Sequence, residues 1–151
     1  KSVIEGLLEY GNCDPICYIA DKPRKLHVKQ KKLYKPTIKW IEKFLSVKLN
    51  IGEGLLFVEQ PLLNSHKIKK YLTDLNNFQL VAIHELTKSI GSLFITLAIY
   101  EKSITPKMAW EVANVEDNHR IEVWGEVEEE THIKNVNLEH FNRLVGILKM
   151  I

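Results

Sequence analysis

Cysteine is nearly absent from this chain of 151 residues, which carries two thiols, Cys13 and Cys17. So few exclude a disulfide-stapled scaffold, and with no secretory leader pattern in view the expected compartment is a thiol-reducing one. A zinc site would need a second ligand pair at matching spacing. The six histidines are scattered and supply none, so two reduced, partly buried thiols are expected. Arginine is scarce as well, at Arg24, Arg120 and Arg143, against 18 lysines. Long apolar runs are missing: the longest, Leu93–Tyr100, is interrupted by Thr96 and is far too short to span a bilayer. There is no His-Glu-x-x-His metal pattern, no nucleophile elbow and no phosphate loop, and no repeat or low-complexity tract is visible. His84 and Lys88 share a helical face without a nucleophile, which predicts a packed or solvated histidine. Ser89-Ile90-Gly91-Ser92 is expected to be a notch where another element packs closely. No catalytic centre, cofactor or metal site is expected.

With 45% hydrophobic residues, the chain has enough apolar content for one real core. Its formal charge of +2 hides a strong segregation. Residues 22–48 hold ten basic residues against Glu42, a local net of +9. Residues 111–130 hold eight acids against Arg120, a local net of −7. The basic segment is open to two readings, a solvated helix face or a phosphate-tracking surface. Lysine-rich, Asn- and Ile-rich usage also fits an AT-rich coding bias. The chain begins at Lys1 rather than Met, which suggests a piece of a longer protein.

Periodicity and capping predict a mainly α domain over residues 1–151, of about six or seven helices, with a small β element near residues 15–20 and 48–57. A capping box at Ser2–Glu5 and a stop at Gly11 predict a helix over 3–10. Pro23 opens a helix to about Leu33, and Pro36 sits in the first turn of the next. There Ile38, Ile41 and Leu45, with Trp40 and Phe44, make a wide apolar stripe. Leu49–Ile51 is a candidate strand, and Gly52–Pro61 a connecting loop. Asn64 or Ser65 is expected to cap a helix carrying Ile68 and Leu72, and Asn76-Asn77 to end it and cap the next. Residues 78–101 read as one long helix, apolar nearly all round from Ile90. Thr105-Pro106 opens another. A helix over about 117–123 follows, and Asn137 is expected to cap the last, with Phe141, Leu144, Val145 and Leu148 on one face.

The densest chemical signal is Ile121-Glu122-Val123-Trp124-Gly125-Glu126-Val127-Glu128-Glu129-Glu130. A tryptophan is rich in binding energy, the glycine beside it frees the backbone, and the crowded carboxylates are best relieved by a positive partner. It lacks the ligand alternation of a calcium loop. It reads as a docking surface, or alternatively as a core tryptophan followed by a wet helix start favoured by the dipole.

In order, these motifs resemble the F-type ATP synthase assembly chaperone family that binds the α subunit of the catalytic head. Ile16-Cys17-Tyr18-Ile19-Ala20 is similar to that family's Leu-Cys-Tyr-Arg-Ala segment, with Asp14 before it and Pro23, Leu26 and Gln30 after. Tyr34 stands where Trp is usual, ahead of Pro36 and Trp40. Glu53-Gly54 and Gln60-Pro61 resemble the family's connecting loop, Ser89–Leu93 with Leu97-Ala98 its long helix, and Ala109-Trp110 the next. Trp124-Gly125 resembles its Trp-Gly motif. The chain departs from the pattern at His119-Arg120, where the family has Trp-Gln, and at Val127, where it has Asp. Glu129 keeps the family's Glu.

The resemblance covers the helical C-terminal portion of the family; its N-terminal strand-rich domain has no counterpart in this sequence. It implies a non-enzymatic chaperone that holds the free α subunit, preventing its aggregation until the β subunit pairs with it. It points to Glu122, Trp124, Gly125, Glu126 and Glu129 as partner-binding residues. It further implies a monomer of the bacterial cytoplasm or mitochondrial matrix, without nucleic-acid binding or membrane insertion. A generic helical adaptor, or a nucleic-acid-binding domain using residues 22–48, is the alternative.

Overall fold

A computed structural model describes residues 2–151. The elements run α1 (Ser2–Asn12), a 3-10 turn (Pro15–Cys17), β1 (Tyr18–Ile19), α2 (Arg24–Leu45) and β2 (Gly52–Glu53). Then follow α3 (Leu62–Thr73), α4 (Asn77–Ile90), α5 (Leu93–Tyr100), α6 (Pro106–Ala113), α7 (Val115–Trp124) and α8 (Glu128–Met150). The mainly α class holds, with eight helices among the described residues rather than six or seven. The β element is small as predicted, a parallel pair with Tyr18 opposite Gly52 and Ile19 opposite Glu53. It lies just beyond Leu49–Ile51, the expected strand. The Ser2 side chain, and with it the predicted capping box, lies outside the described residues.

The core is built on α5. Its apolar circumference allows every residue from Leu93 to Ile99 to be buried, so the helix sits against α4, α2, α1 and α6. The predicted single helix over 78–101 is corrected here: it is two helices. Gly91 takes a left-handed conformation (φ 79°) as the C-cap of α4, and Ser92 caps α5 by accepting from the Ile95 N–H. A Cβ at Gly91 would meet nothing within 4 Å. The notch is therefore a backbone break and not a packing contact. The buried Asp14 carboxylate secures the break, accepting from the Ser92 hydroxyl (2.6 Å) and the Phe94 N–H (3.1 Å).

The predicted break before Pro36 is also corrected, since α2 runs on through it. Proline there removes one intrahelical bond. Leu26, Gln30 and Tyr34 before it and Thr37, Ile41 and Leu45 after it bury one continuous face, which outweighs that loss. Gly11 does not end α1 but lies in its last turn, where a Cβ would stand 3.0 Å from Ile68 Cδ1 of α3. Helix α3 starts at Leu62, after Pro61, so both proposed caps lie inside it and make tertiary bonds instead. The Asn64 amide donates to the Lys48 carbonyl (2.8 Å) and the Ser65 hydroxyl to Asn12 (3.0 Å). Asn76 forms the predicted cap of α4, as a capping box with Gln79, and Thr105 that of α6. Helix α8 begins nine residues before Asn137, with Glu128, Glu129 and Glu130 in its first turn, where the helix dipole favours them. Its apolar face of Phe141, Leu144, Val145 and Leu148 is buried as expected, chiefly against α4.

Candidate functional site

Helix α7 and the start of α8 carry the acidic stretch. Gly125 caps α7 with φ 87° and ψ 171°, a region essentially reserved for glycine. Its N–H donates to the Ile121 carbonyl at 2.8 Å. The chain turns through Glu126 and Val127 and re-enters helix at Glu128. Arg120 clamps the joint, its Nη1 donating to Glu130 Oε2 at 2.7 Å while Nη2 lies 3.7 Å from Asp117. Lys134 of α8 adds a bond to Asn118 of α7.

This geometry separates the carboxylates into two groups. Glu122 is held by Lys25 and Lys29 of α2, and those two lysines draw its carboxyl down to about 2. Glu130 belongs to Arg120. Glu126, Glu128 and Glu129 are exposed and have no basic partner among the described residues. Glu126 and Glu128 line one shallow depression with Thr131, His132 and Asn135.

Trp124 decides against one of the two readings of this stretch. It is 83% exposed, with Val123 and Val127 exposed on either side, so the core-tryptophan alternative is overturned. The helix-start half of that alternative holds for Glu128–Glu130. Of the five predicted residues, Trp124, Gly125, Glu126 and Glu129 occupy one solvent-facing joint. Glu122, already ion-paired within the chain, faces α2. The segregated charges therefore meet in the fold, where Lys25 and Lys29 of the basic segment pair with Glu122 of the acidic one.

Buried polar residues support this frame. Gln30 accepts from the Ala20 N–H (2.6 Å) and donates to Tyr34 and to Glu116 of α7 (both 3.4 Å), tying the residue after β1, α2 and α7 together. Gln60 exchanges two 2.9 Å bonds with the Asn50 backbone and holds the loop before α3. The sequence reading missed the apolar tip of that loop, Leu55, Leu56 and Phe57, which is largely exposed. Three consecutive large apolar residues inside a Gly- and Pro-punctuated loop were the available signal.

The cysteines are free, Cys13 exposed and Cys17 buried, which corrects the expectation of two partly buried thiols. Burial and the neighbouring Asp14 push the Cys17 thiol far up, away from nucleophilic behaviour. His84 and Lys88 both approach the Glu85 carboxylate, at 3.6 and 2.9 Å, in a solvated cluster on α4. No helix among the described residues is long and apolar enough to cross a membrane.

No family model matches the chain. Among solved structures, Atp12 from Paracoccus denitrificans has 27% identity to it and a TM-score of 0.92, over 98% of this chain and 64% of that one. A chaperone candidate from Agrobacterium tumefaciens, Atu1473, matches at 27% identity and a TM-score of 0.91, over 98% and 56%. A mutant of the Paracoccus protein gives 27% and 0.92, over 98% and 63%. The chain thus spans less than two thirds of the length of each. The resemblance drawn from the sequence is borne out in three dimensions, as a likeness to the Atp12 structure over 98% of this chain.

Proposed function

We propose that this Atp12-like chain is the helical portion of an F-type ATP synthase assembly chaperone and binds the free α subunit, without catalysis of its own. The carrying observation is the shared architecture over nearly its whole length. The surface assigned to the partner is the α7–α8 joint, where an exposed tryptophan stands beside three carboxylates with no basic partner among the described residues. Trp124 and Val127 supply apolar area for affinity, and Glu126 and Glu129 supply register and on-rate toward basic groups of the partner. A nucleic-acid role for residues 22–48 has less support. Lys25 and Lys29 are occupied by Glu122, and Trp40 and Phe44 stack on one another with centroids 4.8 Å apart.

The test is light scattering of purified α subunit on warming, with and without an equimolar amount of the chain. Suppressed scattering that returns with Glu129→Lys at unchanged Tm supports the assignment. Scattering that the wild-type chain leaves unaltered overturns the function. Full suppression by both Glu126→Lys and Glu129→Lys overturns the site.

A further inference from the structure

The basic segment has two ends with different fates. Lys25 and Lys29 are both ion-paired with Glu122. Lys31, Lys35 and Lys39 follow at spacings of four, along one face of α2. None of them, nor Lys48 beyond the helix, has a carboxylate within 4.0 Å among the described residues. All four line one groove of about 740 Å³ between α2 and the segment that follows it. The rest of its wall is largely aliphatic, with Ile38, Leu49, Ile51 and Leu56. Two acids also line it. Glu42 is engaged by the Leu49 N–H at 2.9 Å, and Glu53 lies 3.9 Å from His27 Nε2. Leu55 and Phe57, flanking Leu56, extend the apolar surface into solvent.

We propose that this groove docks an acidic amphipathic segment of a protein partner. Its apolar side chains would lie along the aliphatic wall and its carboxylates against the four lysines. Four lysines against two acids leave the groove with an excess of positive charge, and an acidic ligand relieves the repulsion between them. Ile51 and Leu56, exposed on that wall, favour a ligand that also brings apolar side chains. A nucleic acid fits less well, because no aromatic lines the groove for base stacking and no arginine stands there for bidentate phosphate contacts. The groove is a second surface, opposite in sign to the one around Trp124, and its test needs no ATP synthase subunit.

The experiment is fluorescence anisotropy on the whole chain with three labelled probes. These are a Leu/Glu peptide with both residue types at helical spacing, the same peptide with Lys for Glu, and an oligo-dT strand. The Leu/Glu peptide is expected to bind about tenfold or more tightly than the Leu/Lys peptide and the oligo-dT, and more weakly as salt rises. Combining Lys35→Glu with Lys39→Glu is expected to weaken it about tenfold at unchanged Tm. If that pair lowers Tm, Lys48→Glu, outside the helix, tests the same rim. Equal binding of the two peptides, oligo-dT binding as tightly as the Leu/Glu peptide, or insensitivity to the lysine variants would overturn the proposal. So would sedimentation showing self-association that Lys35→Glu abolishes, since the occupant would then be a second copy of the chain.

Discussion

The Ser92 hydroxyl donates a 2.6 Å hydrogen bond to the Asp14 carboxylate across 78 positions of sequence. Both groups are buried, and the same carboxylate takes the Phe94 and Ile16 N–H groups. It therefore does at the start of α5 what a local cap alone cannot, joining the α1 end of the chain to the central helix. Removing it in Asp14→Ala leaves a hydroxyl and two amides without their acceptor. The expected cost is about 2–4 kcal/mol in denaturant unfolding, and a loss under half a kcal/mol would contradict this account.

Burial raises the Asp14 carboxyl from 3.8 to about 6. The folded chain then holds a proton between those values that the unfolded chain has released. This group's contribution to stability is full below about 3.8 and is lost as pH rises through 6. The stability advantage of wild type over Asp14→Asn is therefore expected to narrow from pH 4 to pH 7. A gap that stays constant or widens would refute the raised titration.

Glu122 should behave in the opposite sense. Its carboxyl is held down to about 2 by Lys25 and then Lys29, so its contribution is present above 4.5 and lost as pH falls toward 2. Carbon-detected NMR of Glu122 should show the low midpoint. Glu122→Gln should lower Tm slightly, and less in high salt because the pairs are exposed. A midpoint near 4.5 would mean that α7 is not tied to α2 in this way.

Trp124→Ala is expected to leave the fold intact, with a stability change within about 0.5 kcal/mol, as for exposed positions in general. Its effect should fall on capture of the α subunit, weakened about tenfold or more if the residue anchors the interface. Thermal melts and a binding titration separate the two. A large drop in Tm with unchanged binding would return Trp124 to a structural role.

Gly125→Ala isolates the backbone. A Cβ there meets nothing within 4 Å, so the expected loss of about 1–3 kcal/mol comes from forcing alanine to φ 87°. Equal stability of the two proteins would show that the α7–α8 joint relaxes to another conformation.

Much of this fold is legible in the chain because its determinants are local. The Asn76 and Thr105 caps, the apolar face at Phe141–Leu148 and the α7 segment follow from side chains acting within a turn or two of themselves. The joint around Trp124 was legible as an address for the same reason. Its division of labour was not, because Glu122 finds its lysines 97 and 93 positions away. The continuity of α2 through Pro36 was hidden too, since it depends on which face α5 covers.

The sequence by itself determined the helical class, the buried face of α8 and the place where an aromatic meets exposed acids. These follow from periodicity, capping and composition, which each residue carries with it. Only the tertiary structure decided that the helix over 78–101 breaks at Gly91-Ser92, that Trp124 faces water, and that four of the lysines border a groove. The break is capped locally by Gly91 and Ser92 and secured by the distant Asp14, while the other two depend on which groups burial and charge pairing bring alongside.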